Sequence, residues 1–169
     1  MKKININSKA HKAAGILPIV EIDNNIYFIL GKEKNGKYCD FGGHKNDNET
    51  YEETAIREFD EESMGVLYNK NKLKKIISKL PCHFNKKEKY ITFLLKLKYD
   101  PNILKTYNTL IIRIFQCDNK KIIPYCKNGL LEKSEFKLFT ANDILKNNNE
   151  QIRDKFLKTF TLLIKNLKK

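Results

Sequence analysis

Glu58, Glu61 and Glu62 recur at i, i+3 and i+4, the spacing that brings side chains onto one face of a helix. Carboxylates so placed repel one another, and a bound cation relieves the repulsion. Clustered hard oxygen donors suit Mg²⁺ or Mn²⁺. The chemistry open to such a site is metal-assisted hydrolysis, in which the ion neutralises an anionic substrate and lowers the pKa of an attacking water. The carboxylates alone would better fit a solvated acidic face, which is what most charge runs on helices are. The glycine turn upstream, Gly42-Gly43, and the embedded Arg57 turn the reading toward a site.

The helix that must carry these side chains is legible locally. Thr50 is a good N-cap, and Glu53 three residues later completes a capping box, so the helix is expected to begin at Tyr51. Gly65 supplies a left-handed stop. Ala55, Ile56 and Phe59 form an apolar stripe beside the acidic one, so one sector faces the core and its neighbour faces a site.

From Gly43 to Gly65 the chain resembles the Nudix box, G-x5-E-x7-R-E-U-x-E-E-x-G-U with U a bulky aliphatic. Gly43, Glu49, Arg57, Glu58, Glu61 and Glu62 all fall in register. Six fixed positions match by chance with odds on the order of 10⁻⁷ per window, so the motif is specific. Two positions depart: Met64 stands where the family has glycine, with Gly65 one place later, and Phe59 replaces the aliphatic. The shifted glycine is expected to let the helix run one residue further. More weakly, Ala13 to Val20 resembles the family's first long strand, and Asp40-Phe41-Gly42-Gly43 stands where many members have a Pro-Gly-Gly turn. Glu132 to Phe139 is similar to its Glu-x-x-Glu-x-x-Trp stretch, with Leu138 in place of the tryptophan, and Asn142 to Leu145 to the turn before its last helix.

The resemblance implies an α/β/α sandwich with a mixed sheet. It also implies that Glu58, Glu61 and Glu62 hold one or more Mg²⁺ or Mn²⁺ ions, with a glycine carbonyl from Gly43 or Gly42 as a backbone ligand. Glu58, Glu132 and Glu135 are candidates for the general base. Glu49 and Arg57 are implied to orient the cluster through an ion pair rather than to touch substrate. Glu61→Gln and Glu62→Gln are each expected to lower turnover at least about a hundredfold without unfolding the protein.

At 169 residues, with neither an internal repeat nor a Pro/Gly/Ser linker, the chain is expected to form a single domain over 1–169, with an N-terminal extension at 1–11 and a C-terminal helix at 150–167. The first residues carry charge but no apolar stretch that would make a secretory signal, and no apolar run would span a bilayer. Cys39, Cys82, Cys117 and Cys126 lack a C-x-x-C spacing and are expected to be reduced, which places the chain in a reducing, cytoplasmic-type interior.

Net charge is +13. A basic surface draws in polyanions such as nucleoside polyphosphates or RNA. Yet Arg57, Arg113 and Arg153 are the only arginines, and the abundance of Lys, Asn and Ile has the character of an AT-rich codon bias. RNA surfaces lean on arginine and on aromatic platforms, so a polyphosphate substrate is better supported than a dedicated nucleic-acid platform.

The remaining elements follow from periodicity. Strands are expected at Ala13 to Ile22 and Ile26 to Lys32, joined by an Asp23-Asn24-Asn25 turn, and at Lys89 to Tyr99, whose alternation puts Ile91, Phe93, Leu95, Leu97 and Tyr99 on one face. Lys72 to Leu80 has helical spacing up to Pro81. Residues Ile103 to Phe115 fit a helix lying on Leu104, Tyr107, Ile111 and Ile114, or a strand in the second half. A helix from Glu150 onward carries Ile152, Phe156, Phe160, Leu163, Ile164 and Leu167 in one stripe. His44 follows the glycine turn and could touch a phosphate, though an exposed loop histidine as often does nothing; His11 and His83 have no partner in sequence. Tyr38, Phe41, Phe84, Tyr90 and Phe136 could stack on a base, but aromatics at strand positions are more often core.

Two function classes follow. One is an enzyme hydrolysing a nucleoside diphosphate linked to another moiety, foremost a free nucleotide such as an NTP or dNTP, with mRNA cap hydrolysis kept open by the basic charge and the segments between Leu67 and Pro124. The other is a Nudix module that binds nucleotide or RNA without catalysis. The oligomeric state is not legible.

Overall fold

The computed structural model describes residues 12–116, 132–146 and 151–167. The first strand, β1 (Ala13–Ile22), turns through Asp23 and Asn24 into β2 (Asn25–Glu33). Both turn residues have positive φ, at 48° and 62°, the pairing that matches the twist of a two-residue hairpin and that Asp and Asn tolerate. Next come β3 (Tyr38–Cys39), β4 (Phe41–His44), helix α1 (Tyr51–Ser63), helix α2 (Lys70–Ile76) with a 3₁₀ turn at Ile77–Lys79, β5 (Cys82–Asn85), and β6 (Tyr90–Lys96). Helix α3 (Pro101–Gln116), β7 (Lys133–Thr140), α4 (Ala141–Lys146) and α5 (Asp154–Leu167) complete the described elements.

Seven strands form one mixed sheet in the order β3-β2-β1-β6-β5, with β4 also pairing β1 and β7 pairing β2. β1 runs parallel to β6 and antiparallel to β2 and β4. Two apolar layers cover its faces. One gathers Ile16, Phe41, Ala55, Phe59, Leu73, Tyr107, Ile111 and Phe136, under α1, α2 and α3. The other gathers Leu17, Phe28, Tyr38, Phe139, Ile144, Phe156, Phe160 and Leu163, under α4 and α5. Helices on both faces of a mixed sheet make the α/β/α arrangement that the box implies.

Two local expectations need correcting and two are sharpened. Ile91, Phe93, Leu95 and Leu97 face one layer as expected, but Thr92 and Leu94 on the other face of β6 are buried as well, because β1 and β5 flank the strand and helices cover both faces. The ambiguous segment is helix throughout, from Pro101 to Gln116, with Tyr107 and Ile111 buried. The last helix starts at Asp154; Ile152 before it bridges to Tyr38 as a strand residue would, and Leu167 at its end is exposed. Finally, α1 does not run one residue further. Met64 itself is the left-handed cap, at φ 53°, and Gly65 follows it at φ 68°, so two left-handed residues in a row end the helix. The reduced-cysteine reading holds for Cys39 and Cys82, both free thiols; Cys117 and Cys126, like His11 and the extension at 1–11, lie outside the described residues. Among the described residues no helix is long and apolar enough to cross a membrane.

Candidate active site

Helix α1 starts as its capping residues dictate. The Thr50 side chain accepts from the Glu53 backbone N–H, and the Glu53 carboxylate accepts from the Thr50 backbone in return. Buried Ala55, Ile56 and Phe59 press the helix onto the sheet, with Phe59 edge-on to Phe41 at 5.5 Å between ring centres. That contact sets the opposite edge of α1 against the β4 glycines.

Arg57 organises the acidic stripe. Its Nε and Nη2 donate to the two carboxylate oxygens of Glu49 at 2.6 and 2.9 Å, a bidentate fork. Nη1 donates to Glu58 at 2.8 Å and lies 3.4 Å from Glu61, and Nη2 also reaches the His44 carbonyl at 3.0 Å. The fork holds the Glu49 carboxyl down at about 2, well below the ordinary carboxylate range. Burial raises the pKa of Glu58 and of Glu61, and Arg57 opposes the shift in both. The Glu58 carboxylate packs against the α-carbon of Gly43 so closely that a β-carbon there would push it from its place beside Arg57.

Glu62 departs from its neighbours. On a wheel of 100° per residue it lies about 40° to the Ala55 side of Glu58, whereas Glu61 lies about 60° to the Arg57 side. Its side chain is accordingly 3% exposed, against 26% for Glu61. Its Oε2 accepts from the Gly42 N–H at 2.9 Å, and its Oε1 lies 3.3 Å from the ammonium of Lys133 on β7. Burial pushes the Glu62 carboxyl up while the Lys133 ammonium pulls it down. The Gly42 N–H and the Lys133 ammonium hold its two oxygens, against the push of burial and of the Glu58 and Asp40 charges.

The two later carboxylates part company. Glu132 is exposed, and its charge helps to raise Glu58, so it stands within electrostatic reach of the stripe. Glu135 is spent elsewhere: Tyr38 donates to it at 2.8 Å and Lys32 lies 3.6 Å away. Among the described residues, no three His, Cys, Asp or Glu side chains are gathered closely enough to hold a metal by themselves. The donor chemistry nonetheless suits Mg²⁺, which keeps several waters and commonly takes one or two carboxylates plus substrate phosphates. Glu58, beside Gly43, and Glu61, tied to the same Arg57 Nη1, fit that smaller set.

A cavity of about 270 Å³ opens on the other side of the glycine turn, with Gly42, Gly43 and His44 in its wall. Lys12, Lys87, Lys89, Arg153 and Lys155 line it against only Asp40 and Glu88, and Phe156 and Tyr90 give it apolar surface. Tyr90 donates to Asp40 at 3.0 Å. Sequence reasoning missed this basic set because its members come from three distant segments. The one available signal, Lys87 and Lys89 beside the β5–β6 turn, is lost in a chain this rich in lysine. Of the aromatics weighed for base stacking, Tyr38, Phe41 and Phe136 are core, and only Tyr90 reaches the cavity.

No family model matches the sequence, and no curated protein matches it significantly. Solved structures do match in fold. A Nudix hydrolase from M. smegmatis, RenU, superposes with a TM-score of 0.53 at 12% identity, covering 94% of this chain and 87% of the other. The Nudix domain of Shewanella oneidensis NrtR, solved with ADP-ribose, superposes with a TM-score of 0.51 at 14% identity, covering 96% and 94%.

Proposed function

We propose that this chain, which has the Nudix fold, is a divalent-metal-dependent hydrolase cleaving the pyrophosphate bond of a nucleoside diphosphate linked to another moiety, foremost a free nucleotide. The observation that carries the reading is one juxtaposition. Arg57 bridges Glu49, Glu58 and Glu61, of which Glu58 packs against Gly43, and Gly43 is also part of the wall of a cavity with five basic residues. Anhydride hydrolysis needs both halves: carboxylates to hold a divalent ion at the scissile phosphates, and positive charge to receive the rest of an anionic substrate. A domain of the same fold holding ADP-ribose supports a nucleotide as that substrate.

When bound, Mg²⁺ or Mn²⁺ would offset phosphate charge and acidify a water. The chain's own residues do the rest. Arg57 fixes the rotamers of Glu58 and Glu61, and Glu49 locks Arg57. The base is proposed from Glu58 and Glu132, whose charge is felt at Glu58, rather than from Glu135, which is bound to Tyr38 and Lys32. The cavity is at the small end for a ligand cleft, about 300 Å³, and so suits one end of a substrate rather than a whole dinucleotide. The scarcity of arginine leaves cap hydrolysis the weaker variant.

Purified protein with Mg²⁺, offered NTPs, dNTPs, ADP-ribose, dinucleoside polyphosphates and capped RNA, tests the reading. Turnover of at least one is expected, with Glu61→Gln slower by at least about a hundredfold and still folded. Near-normal rates in Glu61→Gln and Glu58→Gln would reject it. A module that binds without catalysis is the second reading, favoured by the engagement of Glu62 with Lys133. Nucleotide binding with no turnover of any substrate would select it.

A further inference from the structure

Lys133 is the most deeply buried charge in the described part of the molecule, its side chain 0% exposed. Its ammonium lies 3.3 Å from Glu62 and 3.7 Å from Glu33, and donates to the Cys39 sulfur at 3.0 Å. The position is built. The Lys133 stem crosses the sheet over Gly31, where a β-carbon would come within 2.8 Å of Cγ and Cδ. The buried Tyr107 hydroxyl stands 2.7 Å from the Lys133 carbonyl and 3.2 Å from the Glu62 carbonyl, so one side chain clamps the backbones of both partners. Glu33 is shared with Arg153 at 2.8 Å, which leaves Glu62 as the counter-charge that Lys133 depends on.

We infer that Lys133 is a resident cation at the Glu62 position, so that a divalent ion is held by Glu58 and Glu61 while Glu62 stays with the ammonium and orients the Gly42 turn. The inference rests on the metal-dependent reading above. Both Glu62 oxygens already have protein donors. A metal that recruited this carboxylate would leave a buried ammonium facing a carboxylate it shares with Arg153, a costly arrangement. Lys133 is thus a positioning residue, and the site differs from the three-carboxylate cluster that the box alone implies.

The test reads the ammonium directly. In full-length protein with ¹⁵N-labelled lysine, assigned by through-bond correlation, the Lys133 Nζ signal is expected to be protected from solvent exchange. It should persist unshifted when Mg²⁺ is added to saturation. Loss of the signal, or a large shift on adding Mg²⁺, would overturn the inference. Mn²⁺ titration followed by electron paramagnetic resonance gives the second arm. Lys133→Met frees Glu62 and is expected to bind Mn²⁺ about tenfold more tightly or to take up one more ion, a gain removed in Lys133→Met/Glu62→Gln. Unchanged uptake in folded Lys133→Met would also overturn it. If Lys133→Met does not fold, the resonance measurement on the unaltered chain decides. If the unaltered chain takes up no Mn²⁺, the hydrolase reading fails separately; the inference then stands if Lys133→Met gains uptake and falls if it does not.

Discussion

Replacing Arg57 by lysine keeps the charge and removes the fork. In the structure the guanidinium makes two short bonds to Glu49, one to Glu58 and one to the His44 carbonyl, with Glu61 at 3.4 Å. A lysine ammonium at the same position has no planar pair of donors and can reach either Glu49 or Glu58 at good geometry, not both. Each hydrogen bond to a charged group is worth about 1.5–3 kcal/mol, toward the lower end here because Arg57 is 23% exposed. Losing the equivalent of two gives a destabilisation of about 3–4 kcal/mol. The loss should also appear at the metal, since Glu58 and Glu61 are released from a fixed rotamer; weakening of about 10- to 100-fold is expected for such supporting contacts. Urea unfolding at pH 7 measures the first quantity and Mn²⁺ titration of the folded variant the second. An Arg57→Lys protein within about 0.5 kcal/mol of the parent, binding Mn²⁺ equally well, would refute the claim that the fork organises this site.

Tyr107→Phe should keep the ring stacked on Phe136, 3.4 Å between centres, while removing the donor to the Lys133 and Glu62 carbonyls; a loss of about 1–3 kcal/mol is expected in urea unfolding. Glu49 predicts an acid-limb effect. Its folded pKa is depressed from 4.5 to about 2, so its stabilisation is fully present above pH 4.5 and is lost as pH falls through 2. The stability gap between the parent and Glu49→Gln, about 1–3 kcal/mol at pH 7 by the same hydrogen-bond scale, should therefore narrow steadily between pH 5 and pH 2; a gap independent of pH would contradict the assignment. In the cavity, Lys155→Glu is expected to raise KM for a polyphosphate substrate about 3- to 10-fold with little change in kcat, and to flatten its salt dependence, because it alters attraction rather than the reacting centre.

Much of this protein follows from neighbours along the chain. The capping box at Thr50 and Glu53, the Asp23-Asn24 turn, the Arg57 stripe and the amphipathic C-terminal helix are relations spanning a few residues, and backbone sterics and helical periodicity determine such relations locally. The box spacing likewise sets Glu49, Arg57, Glu58 and Glu61 relative to one another along the chain, independently of tertiary contacts. Only the folded chain decided what required distant segments to meet. Burial of both faces of β6 depends on α1 to α3 on one side and on the C-terminal helices on the other. The separation of Glu135 from the carboxylates depends on Tyr38, and the basic cavity on residues as far apart as Lys12 and Lys155. Glu62 shows the boundary most sharply: helical spacing places it beside its neighbours, but a lysine 71 positions later, threaded over Gly31 into a site closed to water, determines which cation it faces.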